Sequence, residues 1–155
     1  MAKHVLELNA DLKDNYEKIT ELIESSTAAP LLEVTGAGPV IEAVVCGGWA
    51  HLGRVRTEAA FAALAGVDLI TASSGDVERL RLNRGGGPRL NSALHMATIV
   101  RTIHDPDTRT YAERRKSEGK SSREVRRILK RYFARPLYRL LIASHSLPDG
   151  PISAC

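Results

Sequence analysis

Cysteine is nearly absent from this chain: Cys46 lies in an apolar run and Cys155 is the last of 155 residues. Two unpatterned cysteines build neither a disulfide framework nor a zinc site. Long apolar runs are missing as well, with nothing approaching the roughly 20 residues of a membrane span. The opening Met1-Ala2-Lys3-His4-Val5-Leu6-Glu7 has no apolar signal region, so the chain is expected in the cytoplasm with no membrane partner. Histidines and carboxylates form no group that reads as a metal site or a catalytic triad. Asp68, Asp76 and Glu78 are scattered around one loop and His104-Asp105 falls in a turn. No cofactor and no metal is therefore expected in this chain.

The apolar and charged fractions, 43% and 26%, are those of an ordinary globular domain able to bury a core. The formal net charge of +4 hides an asymmetry. Residues 79–139 hold 17 Lys/Arg against 5 Asp/Glu, a local balance of +12, whereas residues 1–78 hold 5 against 12, a balance of −7. A basic half and an acidic half point to an anionic polymer bound through the C-terminal half. Solvated helix faces would give the same counts.

Residues 5–26 read as one helix, with Val5, Leu8, Leu12, Ile19 and Leu22 spaced by three and four and Asn15 at the seam. This heptad stripe with one polar seam residue predicts a coiled-coil arm that makes a homodimer or higher oligomer. Docking on its own domain is the alternative. Ser25-Ser26-Thr27-Ala28-Ala29-Pro30 ends the arm. Leu31 to Val45 then reads as a short helix, a Gly36-Ala37-Gly38 hairpin and a second helix opened by Pro39. That is the pattern of a helix-hairpin-helix, whose glycines allow the turn and whose free amides can point at a phosphate. Such a motif grips nucleic-acid backbone without reading sequence. Glu42 is a misfit, an acid in the first turn where a small residue is usual, and a purely structural hairpin has the same glycines.

Gly47 and Gly48 are expected to break that helix, and Thr57 to cap a core helix through Ala65. Pro88 opens a helix to about His104, with His95 read as a satisfied core histidine. Asp105-Pro106-Asp107 makes a turn, with Asp107 as the cap of a helix that stops at Gly119. Ser121-Ser122-Arg123-Glu124 is a capping box for the last long helix. Its apolar stripe is Val125, Ile128, Leu129, Tyr132, Phe133, Leu137, Leu140 and Leu141, and Pro136 is expected to kink it. With Tyr132 and Phe133 on the buried stripe, base stacking is not expected. Arg123, Arg126, Arg127, Lys130, Arg131 and Arg139 form a basic face suited to phosphates. The fold class predicted is mainly α: a coiled-coil helix, a helix-hairpin-helix, a small β-hairpin and a C-terminal helical bundle. Residues 1–27 are the arm, 28–144 the domain and 145–155 a flexible tail.

One stretch, Gly66 to Gly87, has no helical period although both flanks do. Asp68 to Thr71 and Val77 to Leu82 alternate well enough to be strands, and Ser73-Ser74-Gly75 between them presents a hydroxyl at a hairpin tip. Arg79, Arg81 and Arg84 follow at spacings of two and three, before a triple glycine. A hydroxyl beside several guanidiniums is a place to hold a phosphodiester. A polar hairpin that merely joins two helices is the plainer alternative.

Several strings taken together resemble one family: Leu31-Leu32-Glu33-Val34-Thr35-Gly36-Ala37-Gly38-Pro39-Val40, Glu58 to Val67, Ala72-Ser73-Ser74-Gly75 and Arg81-Leu82-Asn83-Arg84-Gly85-Gly86. Leu90-Asn91, Ala93-Leu94-His95, Asp107 to Tyr111, Glu118-Gly119-Lys120 and Leu129-Lys130-Arg131-Tyr132 follow in order. From about Val5 to Ala143 the chain is similar to the C-terminal, transposase 20-like half of insertion-sequence transposases with an RNase H-like DEDD nuclease domain. Some members of that family are guided by a bridge RNA. The resemblance implies an N-terminal domain with four metal-binding acids, a dimerising coiled coil and a C-terminal serine that joins covalently to DNA. That serine matches Ser74, with Ser73 the near alternative.

Three features depart from the family. The nuclease domain is not in this chain, Gly87-Pro88 and Ser92 stand where polar or basic residues are usual, and Glu42 is an acid in the hairpin helix. The expectation is a DNA-binding, serine-bearing part of a transposase or site-specific recombinase, with DNA as partner and a guide RNA as a further one. Mg²⁺ is expected only in the nuclease domain, so this chain alone is expected to be inactive. The nucleic-acid contacts expected are Gly36, Gly38, Arg79, Arg81, Arg84, Arg126, Arg127, Lys130 and Arg131. The alternative is a non-catalytic, dimerising nucleic-acid-binding module, a truncated or decayed transposase.

Overall fold

Helix α1 runs over Ala2–Glu24. Ser25 and Ser26 end it: the Ser26 hydroxyl donates back to Ile23 O at 2.8 Å and accepts from Ala28 N at 3.1 Å, an alternative to continuing the helix. The computed structural model of the chain describes residues 2–50, 53–74, 77–82 and 86–146, with the backbone alone for Ala2, both strands and Ser146. Most of α1 is exposed, and only near its end does Ile23 become buried. Val5, Leu8, Leu12 and Leu22 of the heptad stripe are between 48% and 68% exposed, which leaves an apolar seam on the surface.

A single 3-10 turn, Ala29–Glu33, follows and drives Leu31 fully into the core. Helix α2 spans Pro39–Trp49. It runs straight through Gly47 and Gly48, contrary to the expected break. A Cβ at Gly48 would meet Leu90 Cδ2 at 3.2 Å, so the small residue lets α2 lie close on the next long helix. The helix stops only at Ala50, whose φ is +64°. Helix α3 is Glu58–Leu64, capped by the Thr57 hydroxyl accepting from Ala60 N.

Strands β1 (Leu69–Ser74) and β2 (Val77–Leu82) pair antiparallel with Leu69 opposite Leu82 and Ser74 opposite Val77. The connecting residues Gly75 and Asp76 lie outside the described ones. Three helices follow among the described residues: α4 over Pro88–His104, α5 over Pro106–Ser117 and α6 over Ser122–Ser146.

The cap of α5 is Asp105, whose side chain accepts from Thr108 N at 3.1 Å, and not Asp107. Pro106 decides this, because a fixed φ and a missing amide suit it to the first helical position. At α6 the capping box forms as expected, with Ser121 N donating to Glu124 Oε2 at 2.9 Å and Glu124 N to the Ser121 hydroxyl at 3.3 Å. Helix α6 continues through Pro136 and, with Ser144 buried, takes in the first two residues of the expected tail, ending at Ser146.

The fold is thus mainly helical. One core joins Leu31, Val45 and Trp49 to Phe61, Leu90 and Leu94, with Phe133, Leu137 and Leu141 from the second half of α6. A smaller cluster of Ala112, Val125 and Leu129 seats α5 on the first half of α6. Tyr138 donates its hydroxyl to Val55 O at 3.2 Å, tying the loop after α2 to α6.

Candidate nucleic-acid interface

The strand pair leaves the helical body through a narrow base. Gly86 N-terminal to α4 returns against the end of α3, where a Cβ would fall 2.3 Å from Gly66 N and 2.4 Å from Gly66 Cα. No side chain fits such an approach to backbone. Gly87 N donates to Leu64 O at 2.7 Å. Asn91 Nδ2 donates to Ala65 O at 2.9 Å and Gly66 O at 3.0 Å, and Lys130 Nζ donates to Asn91 Oδ1 at 3.0 Å. On the outgoing side, Arg131 Nη1 pairs with Asp68 Oδ1 at 3.1 Å, one residue before β1. The base of the excursion is therefore clasped from α3, α4 and α6 at once.

Ser73 and Ser74 stand at the far end of β1, opposite Glu78 and Val77. Six strand residues at about 3.3 Å each carry Ser74 roughly 20 Å along the strand from Asp68. Arg79 and Arg81 lie on β2 opposite Ala72 and Ile70. Arg84 lies outside the described residues.

Helix α6 separates the four basic residues of its expected face assigned to nucleic-acid contacts. Arg126 is exposed and donates to Ser122 O at 3.2 Å, and Arg127 is half-buried. Lys130 is 7% exposed, so it is a correction to the expected phosphate face. Its ammonium donates to Asn91 on the neighbouring α4. Burial holds its ammonium below the usual lysine range, aided by the positive Arg127 and Arg126. Arg131 is half-buried and occupied by Asp68. His95, half-buried on α4, is pulled below the usual histidine value by burial and then by Lys130 and Arg126.

The two hairpin glycines also differ. Gly36 has φ +89°, and a Cβ there would meet Ala97 O at 2.6 Å, so its backbone is pressed on α4. Gly38 caps α2 and faces open space. Arg89 lines an apolar cavity of about 310 Å³ with Val40 and Ile41 of the first α2 turn. Glu42 is fully buried, with neither carboxylate oxygen bonded among the described residues. Desolvation pushes its pKa from 4.5 up to about 7. The acid in the first turn of α2 is thus turned into the protein and not toward a phosphate at the hairpin.

Several residues lie elsewhere than their local sequence pattern predicts. Tyr132 is 53% exposed, against its expected burial on the stripe. The α5 helix covers only part of that face, so Leu129 and Phe133 go in while Tyr132 meets Tyr111 edge to face at 6.0 Å. Arg135 was not singled out, yet it bonds Glu58 at 2.7 Å and lies over Tyr132. Asn91, the centre of the clasp, carries no local signal, because its partners are 25, 26 and 39 residues away. Among the described residues no group of His, Cys, Asp or Glu could hold a metal ion, and no helix is long and apolar enough to cross a membrane.

No curated protein matches the chain. Residues 28–113, more than half of its length, match the transposase IS116/IS110/IS902 family.

Proposed function

The chain belongs to the transposase IS116/IS110/IS902 family, and from that membership we propose that it is the DNA-engaging, serine-bearing part of a transposase. Its role is in transposition. One observation supports the finer reading: the matched segment takes in a strand pair with Ser73 and Ser74 at its end and a base clasped from three helices. A nucleophile that must meet DNA at a distant centre needs reach and rigid placement together. The strand supplies the reach, and the clasp supplies the placement.

In this reading the serine oxygen bonds to phosphorus, one ester P–O bond breaks and the leaving sugar oxygen takes up a proton. A serine hydroxyl is a weak nucleophile at neutral pH and needs a base for its proton and positive charge on the phosphate oxygens. Arg79 and Arg81 on the neighbouring strand are the candidates for that charge. Among the described residues no three of His, Cys, Asp and Glu stand together to hold a metal ion, and in this reading activation comes from the four-acid domain that the family resemblance implies. The open amides at Gly38 and the first turn of α2, with Arg89 beside them, are the backbone grip of the helix-hairpin-helix. The exposed seam of α1 is the dimer contact.

Binding should be mainly electrostatic and follow the basic half of the chain. With about six phosphates contacted, the log–log salt slope for duplex DNA is expected near −5. Arg126→Glu with Arg127→Glu should flatten it by about two. Unchanged affinity and slope in that double variant would show α6 to be only a solvated helix.

A further inference from the structure

The cavity between α5 and α6 has unusual walls. Tyr111 and Arg115 of α5 face Ile128, Arg131, Tyr132 and Arg135 of α6 around a space of about 260 Å³. Guanidiniums lie over both rings, Arg115 at 5.9 Å from the Tyr111 centroid and Arg135 at 5.7 Å from that of Tyr132. Each guanidinium is also held by a carboxylate: Arg115 by Glu118 at 2.6 Å, Arg131 by Asp68 at 3.1 Å and Arg135 by Glu58 at 2.7 Å. These pairs fix the planes and still leave donors, since a guanidinium has five.

A half-exposed tyrosine ring calls for a flat ligand, and guanidiniums with donors to spare call for one that brings anionic oxygens. A nucleotide meets both demands at once, stacking its base on Tyr132 and setting its phosphates at the arginines. The volume lies just under the roughly 300–1,000 Å³ of drug-sized sites, which suits a single base. A duplex keeps its bases stacked inside and cannot offer one. An acidic peptide would use the arginines but not the ring.

We infer that the α5–α6 cavity takes one unpaired nucleotide of a single-stranded nucleic acid, its base stacked on Tyr132 and its flanking phosphates at Arg131 and Arg135. This rests on the reading of the chain as a nucleic-acid binder and adds an unpaired strand to it.

The test uses the full chain with short single strands of RNA and DNA carrying one central 2-aminopurine, and a duplex of equal length. Tyr132→Ala should weaken single-strand binding about tenfold, the loss expected for one base–aromatic stack, and remove the 2-aminopurine quench. Tyr132→Phe should keep both, and duplex affinity should stay within about twofold in either variant. Whichever strand binds tighter, RNA or DNA, identifies the source of the nucleotide. Equal affinity and quench in wild type and Tyr132→Ala overturns the inference, as does a wild type that binds no single strand. Equal displacement of the strand from both proteins by polyglutamate overturns it too, since the cavity would then read charge alone. A wild type that binds single strands but not duplex supports the cavity and contradicts only the duplex-DNA reading.

Discussion

Lys130 Nζ donates to Asn91 Oδ1 at 3.0 Å beneath the surface of α6, and Asn91 passes its own two donors to Ala65 O and Gly66 O. The end of α3, α4 and α6, far apart in sequence, meet in one amide. Asn91→Ala strips partners from two carbonyls and leaves a buried ammonium uncompensated, which should cost about 3 kcal/mol by chemical denaturation. Lys130→Met should cost less, because the charge leaves with its bond. Neither should change the salt slope of DNA binding. An Asn91→Ala chain as stable as wild type would contradict the clasp.

The two glycines at the return of the strand pair should behave oppositely. A Cβ at Gly86 falls 2.3 Å from backbone at Gly66, whereas one at Gly87 meets Leu64 O at an ordinary 3.6 Å. Gly86→Ala should destabilise by about 1–3 kcal/mol, the usual range for forced overpacking. Gly87→Ala should be neutral within about 0.5 kcal/mol. Similar melting temperatures for the two variants would mean that the strand base is not closely packed.

Glu42 should make stability depend on pH in an unusual direction. Its pKa is raised from 4.5 to about 7 on folding, so the folded chain holds the proton more tightly. The contribution is full below pH 4.5 and is lost as pH rises through about 7, up to about 3 kcal/mol in all. Denaturant midpoints measured across this window should fall with pH in the wild type and stay flatter in Glu42→Gln. Parallel curves for the two proteins would show that Glu42 is not the source.

The seam of α1 should self-associate. Sedimentation at micromolar concentration is expected to show a dimer that is lost on deletion of residues 1–26 or in Leu8→Glu with Leu12→Glu. A monomer with the arm intact contradicts the coiled-coil reading, whatever its DNA affinity.

Local signals carried the helices well. Thr57, Pro88 and the Ser121–Glu124 box mark true starts because a cap or a proline acts within one turn. Local reading failed where packing decides. Gly47 and Gly48 look like a break, but close approach to Leu90 keeps them helical. Lys130 sits among arginines in sequence, yet its fixed register against Asn91 puts it inside. Tyr132 belongs to the apolar stripe by period, and only the limited width of α5 leaves it half in solvent. The candidate serine stood out by its glycine neighbour and strand pattern, whereas the clasp that holds its strand rests on long-range contacts.

Joining of the chain to DNA through Ser74 is the central claim, and a denaturing gel tests it most directly. Labelled DNA is incubated with Mg²⁺ and the chain, with and without a matching DEDD nuclease domain. Binding without cleavage is expected for the chain alone, and a covalent protein–DNA adduct when the nuclease domain is present. Ser74→Ala should abolish the adduct and leave DNA affinity within about twofold, since one hydroxyl adds little to a many-phosphate contact. An adduct lost only in Ser73→Ala moves the nucleophile by one residue. An adduct that survives replacement of both serines contradicts the account.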